Sequence, residues 1–122
     1  MVVAGNSSEL ERVDLRHAEL SKYSFPSACF KHSNLNGANL SGANLAGATL
    51  SDTLLRKTDL SGADLTGADL TRADLSGADL DRAILLGADL TNAKLSDISL
   101  SGVVADNTTT WPHGFTPPQP GT

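Results

Sequence analysis

From Leu10 to Leu100 every fifth residue is leucine or phenylalanine, nineteen positions in one phase without insertion or deletion. Two residues before each stands a small or apolar residue, most often alanine, as at Ala38, Ala63 and Ala88. The residue between the two is usually Asp or Asn, and the two that follow are usually Ser or Thr and then Gly or another polar residue. Inward, outward, inward over three residues is strand alternation. The two polar, glycine-containing residues that complete the unit read as a corner. An α-helix cannot carry this pattern, because residues five apart are turned by a net ~140° around its axis. A short fixed period held over most of a chain is the mark of a solenoid.

A strand and a corner repeated without pause must wind. If the corners turn by about a right angle, four units close a coil of ~20 residues, and coils stack at the ~4.8 Å strand spacing. Residue n then lies over residue n−20, so that Leu10, Phe30, Leu50, Leu70 and Leu90 share one core column. The expected rod has four to five coils and is ~23 Å long. Alanine two residues before each large residue leaves the narrow lumen room for it.

The run Ala63-Asp64-Leu65-Thr66-Gly67-Ala68-Asp69-Leu70-Thr71-Arg72 resembles the A(D/N)LXX consensus of the pentapeptide repeat family. The resemblance covers residues ~8–102 and implies a right-handed quadrilateral β-helix, an all-β solenoid capped at its ends. Solenoid ends must be capped because their last strands expose unpaired edges. Four segments are expected: an N-terminal leader or cap (1–7), the repeat helix (8–102), a C-terminal cap (103–115) and a flexible proline-rich tail (116–122). Phe25 and Phe30, with Tyr23 and Pro26 beside them, are candidates to plug the lumen near the N-terminal end. At the other end the repeat fades through Val103-Val104-Ala105. The segment that follows, Thr109-Thr110-Trp111-Pro112-His113-Gly114-Phe115, is similar to the T-x-W-P-x-G-F stretch that often follows the last repeat in that family. Trp111 and Phe115 form either a lid over the open lumen or an aromatic docking patch.

Composition narrows the chemistry. A net charge of −5 argues against nucleic acid or an anionic membrane as direct ligand. No apolar run approaches the roughly 18–20 residues of a membrane span, and the first residues lack the pattern of a secretory signal. A soluble, cytoplasmic protein is expected. The single cysteine, Cys29, excludes an intramolecular disulfide. Cys29-x-x-His32 is half a zinc ligand set, and the coil phase brings no further Cys or His beside it. A Ser-His triad needs a histidine facing a serine. His17 and His32 fall on different corners and His113 lies in the cap, so no catalytic residue, metal or cofactor is expected.

The charges are unevenly placed along the chain. Residues 1–33 balance four acids against four bases, whereas residues 58–82 set six acids against Arg72 and Arg82. Asp59, Asp64, Asp69 and Asp74 occupy one coil, one on each face, and Asp79 begins the next. This makes a belt rather than a stripe. Such side chains have a structural use as well, accepting hydrogen bonds from corner N–H groups. Asp52 is expected under Arg72 as an ion pair. Three apolar residues break the outward polar pattern: Leu54, Ile84 and Leu86. Ile84 and Leu86 flank one strand, and Leu54 is assigned to the adjoining face, more than one coil lower. With the belt aspartates they form the candidate interaction surface.

Two functions fit. The first is a non-catalytic structural or interaction module that presents a rigid rod to a protein partner. The second follows from the resemblance: some pentapeptide repeat proteins mimic B-DNA and occupy the DNA site of type II topoisomerases such as gyrase. A ~23 Å rod is shorter than the ~34 Å turn of B-DNA, and a belt is a poor copy of a phosphate stripe. The oligomeric state expected is a monomer or an end-to-end homodimer.

Overall fold

The computed structural model describes residues 10–118; the expected leader at 1–7 and the last residues of the tail lie outside this range. Among the described residues sixteen parallel β-bridges join the coils, and fifteen of them link residue n to residue n+20. They fall into four columns, one for each side of a parallel β-helix. The first face carries residues 14, 34, 54, 74 and 94, and the second carries 19, 39, 59, 79 and 99. The third carries 24, 44, 64, 84 and 104, and the fourth carries 29, 49, 69, 89 and 110. Each side is held at a single bridged residue, so no long strand forms. No described helix is long and apolar enough to cross a membrane.

One repeat shows how the backbone is satisfied. Asp64 N–H donates down to Ala43 O at 2.9 Å, Leu65 N–H donates up to Ile84 O at 2.8 Å, and Gly67 N–H donates up to Leu86 O at 2.8 Å. Ala68 N–H closes the corner on Leu65 O at 3.0 Å. That last bond makes the corner a four-residue turn. Its third residue is left-handed at every corner from Arg12 to Gly102, with φ between 55° and 72°. A type II turn has this requirement. Glycine meets it at eight of these corners and a residue with a side chain at eleven.

The core follows the period. The leucines at every fifth position from Leu35 to Leu90 are 0 % exposed, and the alanines two residues before most of them line the remaining lumen. Where the inward position is polar, the hydroxyl turns down onto the coil below. Thr53 Oγ1 donates to Phe30 O at 3.0 Å, Thr58 Oγ1 donates to Leu35 O at 3.2 Å, and Ser33 does the same to Leu10 O. No buried side-chain nitrogen or oxygen among the described residues lacks a partner. Phe30 is fully buried in the column between Leu10 and Leu50, and Phe25 meets it edge-on at 5.3 Å. Both phenylalanines lie within the core, above the half-buried Leu10, Leu15 and Leu20.

The helix continues past Gly102. Val104 bridges Ile84, and Thr110 bridges Asp89, the one bridge among the described residues with a spacing of 21 rather than 20. One extra residue has therefore entered the last repeat. Thr109 takes the inward place and Trp111 the core place over Leu90. Thr109 Oγ1 donates to Leu85 O at 2.8 Å and accepts Asp106 N–H at 3.3 Å. The insertion displaces the carbonyl that Gly87 N–H would otherwise meet, and Thr108 Oγ1 replaces it at 2.9 Å. Trp111 packs on the core and stacks with Phe115 at 5.3 Å.

Candidate interaction surface

With the lumen filled, the chemistry this chain offers is carried by outward side chains. The belt aspartates are partly committed to the backbone. Asp59, Asp64, Asp69, Asp74 and Asp79 each accept, through Oδ1, the N–H of the residue two further on, at 2.9 to 3.1 Å. In the first four the hydroxyl of that same Ser or Thr donates to the same oxygen. Asn34, Asn39 and Asn44 do the same in uncharged form. These residues hold each corner from its entry side, and all five aspartates are half-buried.

Four carboxyls are held below the ordinary carboxylate range by specific donors. Asp14 is lowered by the Arg16 side chain and its N–H, and Asp52 by the Arg72 guanidinium. Asp81 is lowered by the Ser99 hydroxyl and the Ser101 N–H, and Asp106 by the Thr108 hydroxyl and N–H. In Asp74 burial works upward, but the Ser76 hydroxyl and N–H, with Arg56, bring the net shift down.

The apolar exceptions sit differently from the expectation. Leu54 is on the first face and Ile84 on the third, with the second between them, so they lie on opposite faces rather than adjoining ones. Thirty residues separate the two, which is one and a half coils, and the half coil reverses direction. Val104, 46 % exposed, stands directly over Ile84 and extends the Ile84–Leu86 patch. Its place in the bridge column could have been read from the period, had the repeat been carried one unit beyond Leu100. Leu54 stands alone on its face, 40 % exposed.

The cations are sorted around the coil as well. Seven of the nine lysines and arginines lie on the first face or on the two corners flanking it. Arg12, Lys31 and Arg72 are on the corner leading in; Lys94 is on the face; Arg16, Arg56 and Lys57 are on the corner leading out. This side holds seven cations against five acids, and the remaining described surface holds two against eight. In two of the three ion pairs on this side the acid lies deeper than its partner. Arg72 pairs with Asp52 at 2.9 Å, with side-chain exposures of 55 % and 27 %. Arg56 approaches Asp74 at 3.9 Å, with exposures of 59 % and 14 %. The Arg16–Asp14 pair at 2.8 Å is open on both sides. A cleft of about 420 Å³ lined by Arg12, Val13, Asp14, Arg16, His32 and Asn34 opens at the N-terminal end of this side.

His17 and His32 occupy different corners, and Cys29 Sγ meets Glu11 Oε1 at 3.4 Å rather than a histidine. Among the described residues no three His, Cys, Asp or Glu side chains are gathered in a way that could hold a metal.

A four-sided parallel β-helix built from five-residue units, closed inside and variable outside, defines a repeat solenoid. The pentapeptide repeats family matches residues 33–72 and 68–104 in eight copies, and the chain belongs to that family. Among solved structures it is similar to Rfr23, a pentapeptide repeat protein from the cyanobacterium Cyanothece 51142. The identity is 31% and the TM-score 0.76, over 84% of this chain and 86% of that one. A pentapeptide repeat protein of the Arabidopsis thaliana thylakoid lumen is 35% identical with a TM-score of 0.56, over 74% of this chain and 59% of that one. HetL, a pentapeptide repeat protein involved in heterocyst differentiation regulation in the cyanobacterium Nostoc, is 28% identical with a TM-score of 0.55, over 85% and 60%. No curated protein matches the chain as a sequence relative.

Proposed function

We propose that this chain is a non-catalytic interaction module, a rigid rod that presents fixed side chains to a protein partner. The observation that carries the reading is the filled interior: core leucines from Leu35 to Leu90 are fully buried, so recognition rests on the outward residues of each repeat. Every backbone corner is fixed by hydrogen bonds to neighbouring coils, and a surface preorganised in this way loses little conformational freedom on binding. Affinity capture from the native host, followed by cross-linking and sizing, tests the reading. A stoichiometric protein partner that binds the purified rod directly is the expected result. Turnover of a substrate by the purified rod, with no protein bound, would refute it.

The DNA-mimic alternative receives less support. Seven cations on one side of the rod oppose the uniform negative field that a phosphate backbone presents. Purified protein at micromolar concentration is expected neither to inhibit gyrase supercoiling nor to protect gyrase from quinolones.

A further inference from the structure

We propose that the first face, with Leu54 at its middle, docks an acidic protein segment that carries one apolar side chain for Leu54. This deepens the interaction-module reading and rests on it. Three observations converge on this side of the rod. It alone gathers the cations, which come to a net +2 against −6 for the rest of the described surface. The two carboxylates beside Leu54 are recessed: Asp74 and Asp52 are 14 % and 27 % exposed, whereas Arg56 and Arg72 project at 59 % and 55 %; Asp14 and Asp97, nearer the ends of this side, are exposed. Around Leu54 the potential felt by an approaching partner is therefore more positive than the local count of charges suggests. Finally, Leu54 stands in an outward position that its face otherwise fills with Asp14, Asn34, Asp74 and Lys94.

The cost of this arrangement is visible in the backbone. The corner leading into the first face carries Arg12, His32, Asp52, Arg72 and Asn92, and it is the one corner column among the described residues without a glycine. All five hold φ between 56° and 64°. Left-handed backbone with a side chain is strained by roughly 1 kcal/mol per residue, and strain concentrated in one line points to a use for the side chains. The bidentate Arg72–Asp52 pair joins two consecutive coils of that line, at 2.9 and 3.0 Å.

Geometry narrows the partner. Leu54 is two coils above the level of Arg12 and Asp14 and two below Lys94, roughly 10 Å each way at the stacking distance of a β-helix. An extended chain covers that length in about three residues. The matching segment places an apolar residue with acids about three positions before and after it. Opposite charge speeds encounter and sets register, and the apolar contact supplies desolvation at the centre.

The test is selection from a phage-displayed library of random dodecapeptides on the immobilised rod, followed by direct titration of synthetic enriched peptides. Expected are sequences with Asp or Glu on both sides of a single Leu, Ile, Val or Phe. Binding to the Leu54→Ser variant and to the Arg56→Glu/Lys57→Glu variant should fall roughly tenfold or more, and high salt should weaken it. These side chains are exposed, and circular dichroism of each variant checks that the coil is intact. Ile84→Ser/Leu86→Ser on the opposite face should bind as the parent does. Enriched peptides that are basic or neutral, or that lose binding only with the Ile84/Leu86 variant, would overturn the docking assignment while leaving an interaction module. Failure to enrich any peptide over a scrambled control would overturn the docking assignment, and the host capture experiment then decides the broader reading by itself. A duplex DNA oligonucleotide that competes with the acidic peptide at equal concentration would replace a protein segment with nucleic acid as the ligand.

Discussion

At the scale of single residues, the corner and the lumen impose opposite demands. Gly37 and Gly62 both sit at left-handed corners, with φ of 72° and 66°. A Cβ at Gly62 would meet open space, but one at Gly37 would come within 2.4 Å of His17 Nδ1 on the coil below. Gly62→Ala therefore measures the backbone strain alone, about 1 kcal/mol. Gly37→Ala is expected to cost clearly more in urea unfolding, and the difference should vanish in a His17→Ala background. If the two glycines behave alike in the parent, the His17 contact has no energetic weight. Inside, Ala68 is 1 % exposed between leucine columns, and Ala68→Leu should destabilise by roughly 1–3 kcal/mol through overpacking.

At the scale of the repeat, the last one behaves differently from the rest. Its extra residue is absorbed by two hydroxyls: Thr108 Oγ1 takes the Gly87 N–H in place of a carbonyl, and Thr109 Oγ1 ties Leu85 O to Asp106 N–H. Thr109→Val keeps the shape and deletes the buried hydroxyl, at an expected cost of about 1–3 kcal/mol. Fluorescence of the sole tryptophan, Trp111, should then report melting of the end before circular dichroism reports loss of the coil; coincident transitions would refute a separable cap. The lowered carboxyls add a pH dependence of defined sign. Asp81 and Asp106 lie below the ordinary value of 3.8 when folded. Their stabilisation is thus complete above that value and is lost as pH falls through the folded pKa. Stability should be flat from neutral pH to about 5 and decline below about 4, and Asp81→Asn with Asp106→Asn should flatten that acid limb.

At the scale of the whole molecule, most of the rod could be read from the chain because a fixed period assigns every residue inward or outward. The inward leucines, the n+20 stacking and the Asp52–Arg72 pair all follow from it. Three features were not legible, for separate reasons. Left-handed corners at eleven residues with side chains leave no compositional mark, since only glycine advertises that conformation. The shift before Trp111 is hidden because Thr108, Thr109 and Thr110 are adjacent and chemically interchangeable. The cation-bearing side escapes a tally of charge along the chain, since residues 20 apart become neighbours only once the coil is wound. Placing Leu54 and Ile84 on adjoining faces was a miscount of the same kind, half a coil taken for a quarter. Because each coil contacts chiefly its neighbours, stability should also behave as a sum over stacked units.

The uniform register makes the length of the chain a control over which residues share a side. Removing residues 61–65 leaves every remaining core leucine in the core and advances everything after it by a quarter turn. Removing residues 61–70 advances it by half a turn, and Ile84 then occupies the place of Asp74, directly over Leu54. Two apolar residues now on opposite faces would stand in one column without any substitution. Insertions or deletions in units of five can thus reshuffle the recognition surface while the interior goes unchanged, and only those in units of twenty preserve it.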